Sequence, residues 1–185
     1  MSSVLITGGA RSGKSHYAQK LALRSGKEVL FVATAVAGDE EMRQRIEKHQ
    51  KGRPDSWRTL EAPADVGSQI LRNIGNAGTV IVDCIALLVS NALGKYSDEA
   101  GEHIDVPLVE KEVFREITML VEAIEHTDAD FIVVTNEVGT GLVPVNRMGR
   151  LYRDLLGLAN QLLAQGMDEV YLMVSGLPLR IKPVR

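Results

Sequence analysis

The chain has 185 residues, 45% of them hydrophobic and 24% charged, an ordinary globular composition with enough apolar side chains for one core. Its 21 Lys and Arg against 24 Asp and Glu leave a formal net charge of −3, so overall charge attracts neither nucleic acid nor an anionic membrane, and any polyanion needs a local cationic cluster. A single Cys84 excludes an intramolecular disulfide, no apolar run approaches the roughly 20 residues that cross a bilayer, and the N-terminus lacks a signal-peptide layout, which reads as one domain over residues 1–185 in a reducing cytoplasm.

The first apolar run, residues 4–7, leads into Gly8, Gly9, Ala10, Arg11, Ser12, Gly13, Lys14 and Ser15, which satisfies G-x-x-x-x-G-K-[ST]. A helix is predicted directly after it, through about Arg24, so the motif has the strand-loop-helix context it requires. Glycines let the backbone turn its N–H groups onto phosphate oxygens, and the helix N-terminus adds partial positive charge. Lys14 then reaches the β- and γ-phosphates, and the Ser15 hydroxyl ligates Mg²⁺. The alternative, a glycine-rich turn with a chance lysine, does not account for that context. His16 lies close enough to touch a nucleotide and reads equally well as a surface residue.

Residues 29–33 form the second predicted strand. Residues 39–51 then read as a helix ended by Gly52 and Pro54. Arg43, Arg45, Lys48, Lys51, Arg53 and Arg58 surround His49 there, the cationic exception in an acidic chain. On a helix Arg45 and Ile46 share the face of His49. A neutral imidazole beside arginines that grip a triphosphate is a candidate nucleophile at phosphorus, and positive surroundings favour its unprotonated form. The competing reading is a solvated basic face, for which Glu40, Glu41, Glu47 and Asp55 supply ordinary ion-pair partners; spacing alone does not decide. Met42 and Ile46 read as core contacts of this helix. Trp57 reads as packing where the helix meets the next strand, with stacking on a ligand ring as the alternative.

Residues 79–84 make the third strand, and Asp83 near its end is the candidate carboxylate beside the metal. Capping the following helix is a compatible role for it. Cys84 reads as a small buried residue and not a nucleophile. A long amphipathic helix carries Val109, Val113, Ile117, Leu120, Val121 and Ile124 on one face, followed by a strand at residues 131–135. A second amphipathic helix has Met148, Leu151, Tyr152, Leu155, Ala159 and Leu162, and a last strand spans residues 170–174. Residues 94–105 and 139–146 read as surface loops, with His103 in the first, while His126 sits beside a loop; no His/Cys/Asp/Glu spacing suggests zinc. Alternating strands and helices predict an α/β domain with a mainly parallel sheet, helices on both faces and chemistry at the carboxyl ends of the strands.

The stretches TGGARSGKS (residues 7–15), Ala33-Thr34-Ala35, RIEKHQKGRPDSWRTLEAP (residues 45–63), Asp83-Cys84-Ile85 and TNEVGTGLVPVNRMGRLYRD (residues 135–154) resemble, in order, the bifunctional adenosylcobinamide kinase / adenosylcobinamide-phosphate guanylyltransferase family of cobalamin biosynthesis. The resemblance implies a P-loop α/β fold and two reactions. One transfers a γ-phosphate from ATP or GTP to the aminopropanol hydroxyl of adenosylcobinamide. The other passes GMP from GTP, through a guanylyl adduct on His49, to adenosylcobinamide phosphate. It further implies that Thr34, Ala35 and Val36 line the nucleotide site and that Gln50, Lys51, Gly52 and Arg53 contact the guanylyl group. Glu61 and Asp83 complete the pocket or its metal shell, and the family position of Asp83 also accommodates Glu. Asn136 and Glu137 orient a ligand or fix their loop, and Arg147 meets a phosphate or a neighbouring subunit. By resemblance the partners are a corrinoid and a homo-oligomer, a trimer with sites near subunit boundaries, with no nucleic acid and no membrane span. If the His49 helix swings between the reactions, the segments at Gly38 and Gly52 are where it is expected to bend. Two rivals are a small-molecule P-loop kinase without covalent histidine chemistry and a nucleotide-dependent switch.

Overall fold

Runs of Val, Ile, Leu and Phe too short for helices build a sheet that is apolar on both faces, the pattern of buried parallel strands. The computed structural model describes residues 1–36, 40, 43–44, 47, 50, 52–98, 101 and 103–182. Its elements are β1 (Ser3–Gly8), α1 (Lys14–Ser25), β2 (Val29–Ala33), β3 (Arg58–Glu61), α2 (Val66–Asn73), β4 (Thr79–Asp83), α3 (Ile85–Lys95), α4 (Val106–Glu125), β5 (Asp130–Val134), α5 (Arg147–Gly166), β6 (Glu169–Val174) and β7 (Leu177–Lys182). They form one seven-stranded sheet in the order β3-β2-β4-β5-β1-β6-β7. Every pairing is parallel except β6 with β7. The expected mainly parallel α/β architecture is what forms.

Strand alternation assigns the helices to faces. Val4, Ile6, Phe31, Ile81 and Val134 pack against Ala18 and Ala22 of α1 on one face. Leu5, Leu30, Val82, Phe131 and Val133 pack on the opposite face against residues of α2, α3, α4 and α5. Each of these buried aliphatic or aromatic side chains contributes about 1.5–3 kcal/mol from leaving water.

Several elements depart from expectation. β3 and β7 edge the sheet and were not foreseen. The stretch expected to loop from residue 94 begins inside α3, whose last residues are Gly94 and Lys95, and an isolated bridge pairs Ser97 with Ile104. Within the predicted 39–51 helix, Glu40, Arg43, Gln44, Glu47 and Gln50 are helical. Gly38, Asp39, Glu41, Met42, Arg45, Ile46, Lys48, His49 and Lys51 lie outside the described residues. Among the described residues, no helix is long and apolar enough to cross a membrane.

The α2–α4 contact is tight because Gly67 lacks a side chain: a Cβ there would stand 2.1 Å from the Met119 carbonyl oxygen. Buried Glu116 of α4 accepts the Asp65 and Val66 N–H groups at 2.6 and 3.1 Å, satisfying donors at the start of α2. Arg115 bonds Glu112, Glu116 and Asp65, and Lys95 joins Glu112 at 2.8 Å. Hydrogen bonds from Arg115 and then Lys95 hold the Glu112 carboxyl below its ordinary value. A depressed carboxylate stabilises the fold above its unfolded pKa and loses that contribution as pH falls through the folded value. Thermal melts should therefore decline below about pH 4, and Glu112→Gln should flatten that acid limb; an unchanged limb would assign the acid sensitivity elsewhere.

Candidate active site

The turn after β1 is built by its glycines and by its neighbours. Gly8 has φ +148°, and a Cβ there would stand 2.5 Å from the Met173 carbonyl oxygen, so β6 excludes any side chain. Arg11 and Gly13 take left-handed conformations, with φ 56° and 96°. The Ser12 N–H donates to Gly9 O at 3.3 Å, and the Gly176 N–H donates to Ser12 O at 3.0 Å. α1 then starts at Lys14, whose buried Nζ donates to the carbonyls of Gly8 at 2.9 Å and Gly9 at 2.7 Å. The ammonium is thus held against the loop backbone, beside a helix N-terminus, in the arrangement that receives phosphate oxygens. Ser15 lies in the first turn, partly buried, while Ala10, Arg11 and His16 are exposed.

A row of residues crosses the carboxyl ends of the strands. The register pairs Ala33 with both Glu61 and Asp83, and Asp83 with Val134. Ala33 and Val134 face α1, so Glu61 and Asp83 project onto that face too. At about 4.8 Å per strand, Asp83 stands about 10 Å from β1 and Glu61 about 19 Å from it. The phosphate loop and the β3 edge therefore occupy opposite ends of one row, with Asp83 between them. The N-cap position of helix α3 is Cys84, with no side-chain cap bond, and Asp83 precedes it.

At the β3 end, a pocket of about 410 Å³ is lined by Gln50, Arg53, Pro54, Asp55, Trp57, Thr59 and Glu61. The Arg53 guanidinium carbon sits 3.6 Å from the centroid of the Phe31 ring. Arg53 Nε and Nη1 are buried, and among the described residues they have no hydrogen-bond partner. Each such donor costs about 1–3 kcal/mol, which an anionic ligand would offset. Burial pulls the Arg53 pKa down while the charges of Asp83 and Glu61 hold it up.

Several other expected site residues make contacts within the scaffold. Thr34 is fully buried and turned to the four-helix face; its hydroxyl donates to Cys84 O at 2.7 Å and accepts the Cys84 N–H at 2.8 Å. Asn91 Nδ2 donates to the carbonyls of Thr34 and Pro63 at 2.8 and 2.9 Å, locking the chain after β2. What Thr34 offers is the placement of Ala35, partly buried, and Val36, exposed. The Cys84 thiol is pushed up to about 12 by burial and by Asp83, which keeps it protonated and agrees with a packing role. Glu137 accepts the Gly139 N–H, and its own N–H donates to Gly8 O at 3.0 Å. Asn160 Nδ2 holds the Asn136 carbonyl at 3.0 Å. Of the two roles weighed for Asn136 and Glu137, these contacts serve the loop. Arg58 caps α2 by donating to the carbonyls of Asn73 and Ile74, so it leaves the basic cluster. Arg147 is exposed at the start of α5 and lines a separate cavity of about 660 Å³ with Tyr96 and His103. His103 pairs with Asp98, and His126 caps α4. His49 and Lys51 lie outside the described residues. Asn91, Asn160 and Phe31 were not foreseen, because each acts on a residue remote in sequence; the local signal is only a buried amide or ring.

Residues 4–181 match the family described as cobinamide kinase / cobinamide phosphate guanyltransferase. The chain is 40% identical over 180 residues to the bifunctional adenosylcobalamin biosynthesis protein CobU of Escherichia coli strain K12, covering 97% of this chain and 99% of that one. It is 41% identical over 182 residues to the Salmonella typhimurium protein of the same name, with 97% and 99% covered. The bifunctional adenosylcobalamin biosynthesis protein CobP of Pseudomonas aeruginosa is 39% identical over 179 residues, covering 96% of each chain. Among solved structures, the RadB recombinase aligns with a TM-score of 0.51 at 18% identity, over 92% of this chain and 73% of that one, a likeness of fold alone.

Proposed function

Because the chain belongs to the cobinamide kinase / cobinamide phosphate guanyltransferase family, the bifunctional transferases of adenosylcobalamin biosynthesis, we propose that its two reactions draw on the phosphate loop and on the Arg53 pocket respectively. In the first, Gly8, Gly9, Ala10, Arg11, Ser12, Gly13, Lys14 and Ser15 hold the triphosphate of ATP or GTP. The aminopropanol hydroxyl of adenosylcobinamide gives up its proton to solvent as its oxygen bonds to the γ-phosphorus, the bond to the bridging oxygen breaks, and a nucleoside diphosphate leaves. Lys14 steadies the negative charge on the transferring group.

In the second reaction an imidazole nitrogen of His49 bonds to the α-phosphorus of GTP, and pyrophosphate departs. A phosphate oxygen of adenosylcobinamide phosphate then attacks that phosphorus, the P–N bond breaks, and adenosylcobinamide-GDP leaves with the imidazole regenerated. Gln50, Lys51, Gly52 and Arg53 hold the guanylyl group, Ala35 and Val36 border it, and Glu61 and Asp83 close the row. The observation that carries this reading is the Arg53 guanidinium in the pocket that Glu61 also lines, with Nε and Nη1 buried and without a hydrogen-bond partner among the described residues.

The donors fit Mg²⁺: Ser15 and Asp83 offer one hydroxyl and one carboxylate, and magnesium in phosphoryl-transfer sites completes its shell with phosphate oxygens and water. Held by Ser15 and Asp83, a magnesium ion would neutralise charge developing on the phosphates. A cytoplasmic location and a single domain over residues 1–185 go with this reading. So does a trimer, for which Leu142 and Val145, 96% and 98% exposed on the loop before α5, are the supporting feature.

Incubation with GTP and Mg²⁺ without corrinoid, followed by intact mass and peptide mapping at neutral pH, tests the reading. A gain of one guanylyl group on His49 is the expected result. Bound GTP without any adduct would leave a plain P-loop kinase in its place.

A further inference from the structure

We propose that Phe31 and Trp57 are positioning residues for guanylyl transfer, an aromatic shelf that fixes the plane of the Arg53 guanidinium beside the reacting phosphate. This rests on the assignment of Arg53 to the guanylyl pocket made above.

The geometry begins in the sheet. Phe31 stands in the middle of β2 on the α1 face, in register with Thr59 of β3 and Ile81 of β4, so the strands on either side hold its backbone. Its ring is 1% exposed. The indole of Trp57 lies nearly parallel to it, at 20° with 6.5 Å between centroids. Two successive tight turns deliver the partners: the Arg53 N–H donates to Gln50 O at 3.0 Å, and the Trp57 N–H donates to Pro54 O at 3.0 Å. The R-P-x-x-W spacing therefore folds back on itself, so that both the guanidinium and the indole reach one phenyl ring.

A guanidinium lying on an aromatic face gains cation–π attraction and loses rotational freedom without using any of its N–H groups. The Phe31 ring thus supports the Arg53 guanidinium at 3.6 Å while Nε and Nη1 are without partners among the described residues. Pairing with Asp83 or Glu61 would order the side chain too, but would consume the donors needed by a phosphate. The shelf holds the guanidinium through the ring and spends neither donor.

The test is a double-mutant cycle read by the rate of adduct formation with GTP in a single turnover, with cobinamide phosphorylation measured in parallel. Trp57→Leu should slow adduct formation about tenfold, and phosphorylation much less, while Trp57→Phe, which keeps a ring, should restore most of the rate. In an Arg53→Ala background Trp57→Leu should add less than about twofold, since a residue acting through Arg53 has nothing left to position. Trp57→Met, which loses the ring and keeps much of the volume, replaces Trp57→Leu in the cycle if the latter melts early. Equal losses in both backgrounds, or equal losses in both reactions, would make the shelf a packing feature and overturn the proposal. A normal adduct rate in Arg53→Ala alone would instead remove Arg53 from the guanylyl site, a failure of the underlying assignment that is separately visible.

Discussion

Replacing Lys14 with methionine is expected to lower phosphorylation of cobinamide by about 10²–10³-fold, the loss typical of one preorganised charge at a transferring group. The structure explains why the effect falls on the chemistry. Lys14 Nζ already rests on the carbonyls of Gly8 and Gly9, so the ammonium is positioned before any nucleotide arrives and no reorganisation is needed during transfer. Methionine retains the apolar stem that packs at this buried position and removes only the charge and its donors. The thermal midpoint should therefore move little. Lys14→Arg should not restore the rate, because a planar fork cannot occupy a point-charge position beneath a closed backbone turn. Coupled measurement of nucleoside diphosphate release checks both variants, and a rate for Lys14→Met within about threefold of the parent would remove the lysine from catalysis.

What the sequence made legible, and what it concealed, divides along sequence distance. The phosphate loop is a contiguous string whose geometry follows from glycine freedom and one helix N-terminus, so spacing alone announces it. β2, β4 and β5 announce themselves because strands covered on both faces are continuously apolar. β3 reads Arg-Thr-Leu-Glu: as an edge strand with most of its side chains exposed, it shows neither a run nor a clean alternation. β7 does alternate, but Pro178 within it argues against a strand, and only its edge position makes the proline acceptable. α2 carries Gly67 in its first turn, which a propensity reading takes as a break and which α4 requires as a close approach.

The same division runs through the site. Arg53 and Trp57 appear in a recognisable spacing, whereas Phe31, which joins them, is indistinguishable in sequence from any other core strand residue. Thr34 is named by the family resemblance alone, and its bonds to Cys84 and Asn91, which join residues 50 and 57 positions apart, have no signal in the sequence.

His49→Asn is expected to abolish guanylyl transfer, by about 10⁴-fold or more, while leaving most of the kinase activity, so that adenosylcobinamide phosphate accumulates. The reasoning is chemical. Asparagine keeps a polar side chain of similar reach but has no basic lone pair to form a P–N bond, so the proposed two-step displacement would lose its carrier. Direct attack by the corrinoid phosphate on GTP would bring two anions together without a covalent intermediate to divide the barrier. In the proposed division the kinase step does not need that carrier, because its acceptor is a neutral hydroxyl and its phosphoryl donor is held by the loop at β1. That loop lies some four strands, or about 19 Å, from the β3 edge of the Arg53 pocket. Following both products with time distinguishes the cases. A phosphate intermediate that builds up and stays confirms separate machinery for the two steps, whereas continued formation of the GDP product by His49→Asn would show that guanylyl transfer proceeds without a histidine adduct. Loss of both activities in a variant that still melts like the parent would mean that the segment around His49 also serves the phosphate loop, and that one bound nucleotide spans the whole row from Lys14 to Arg53.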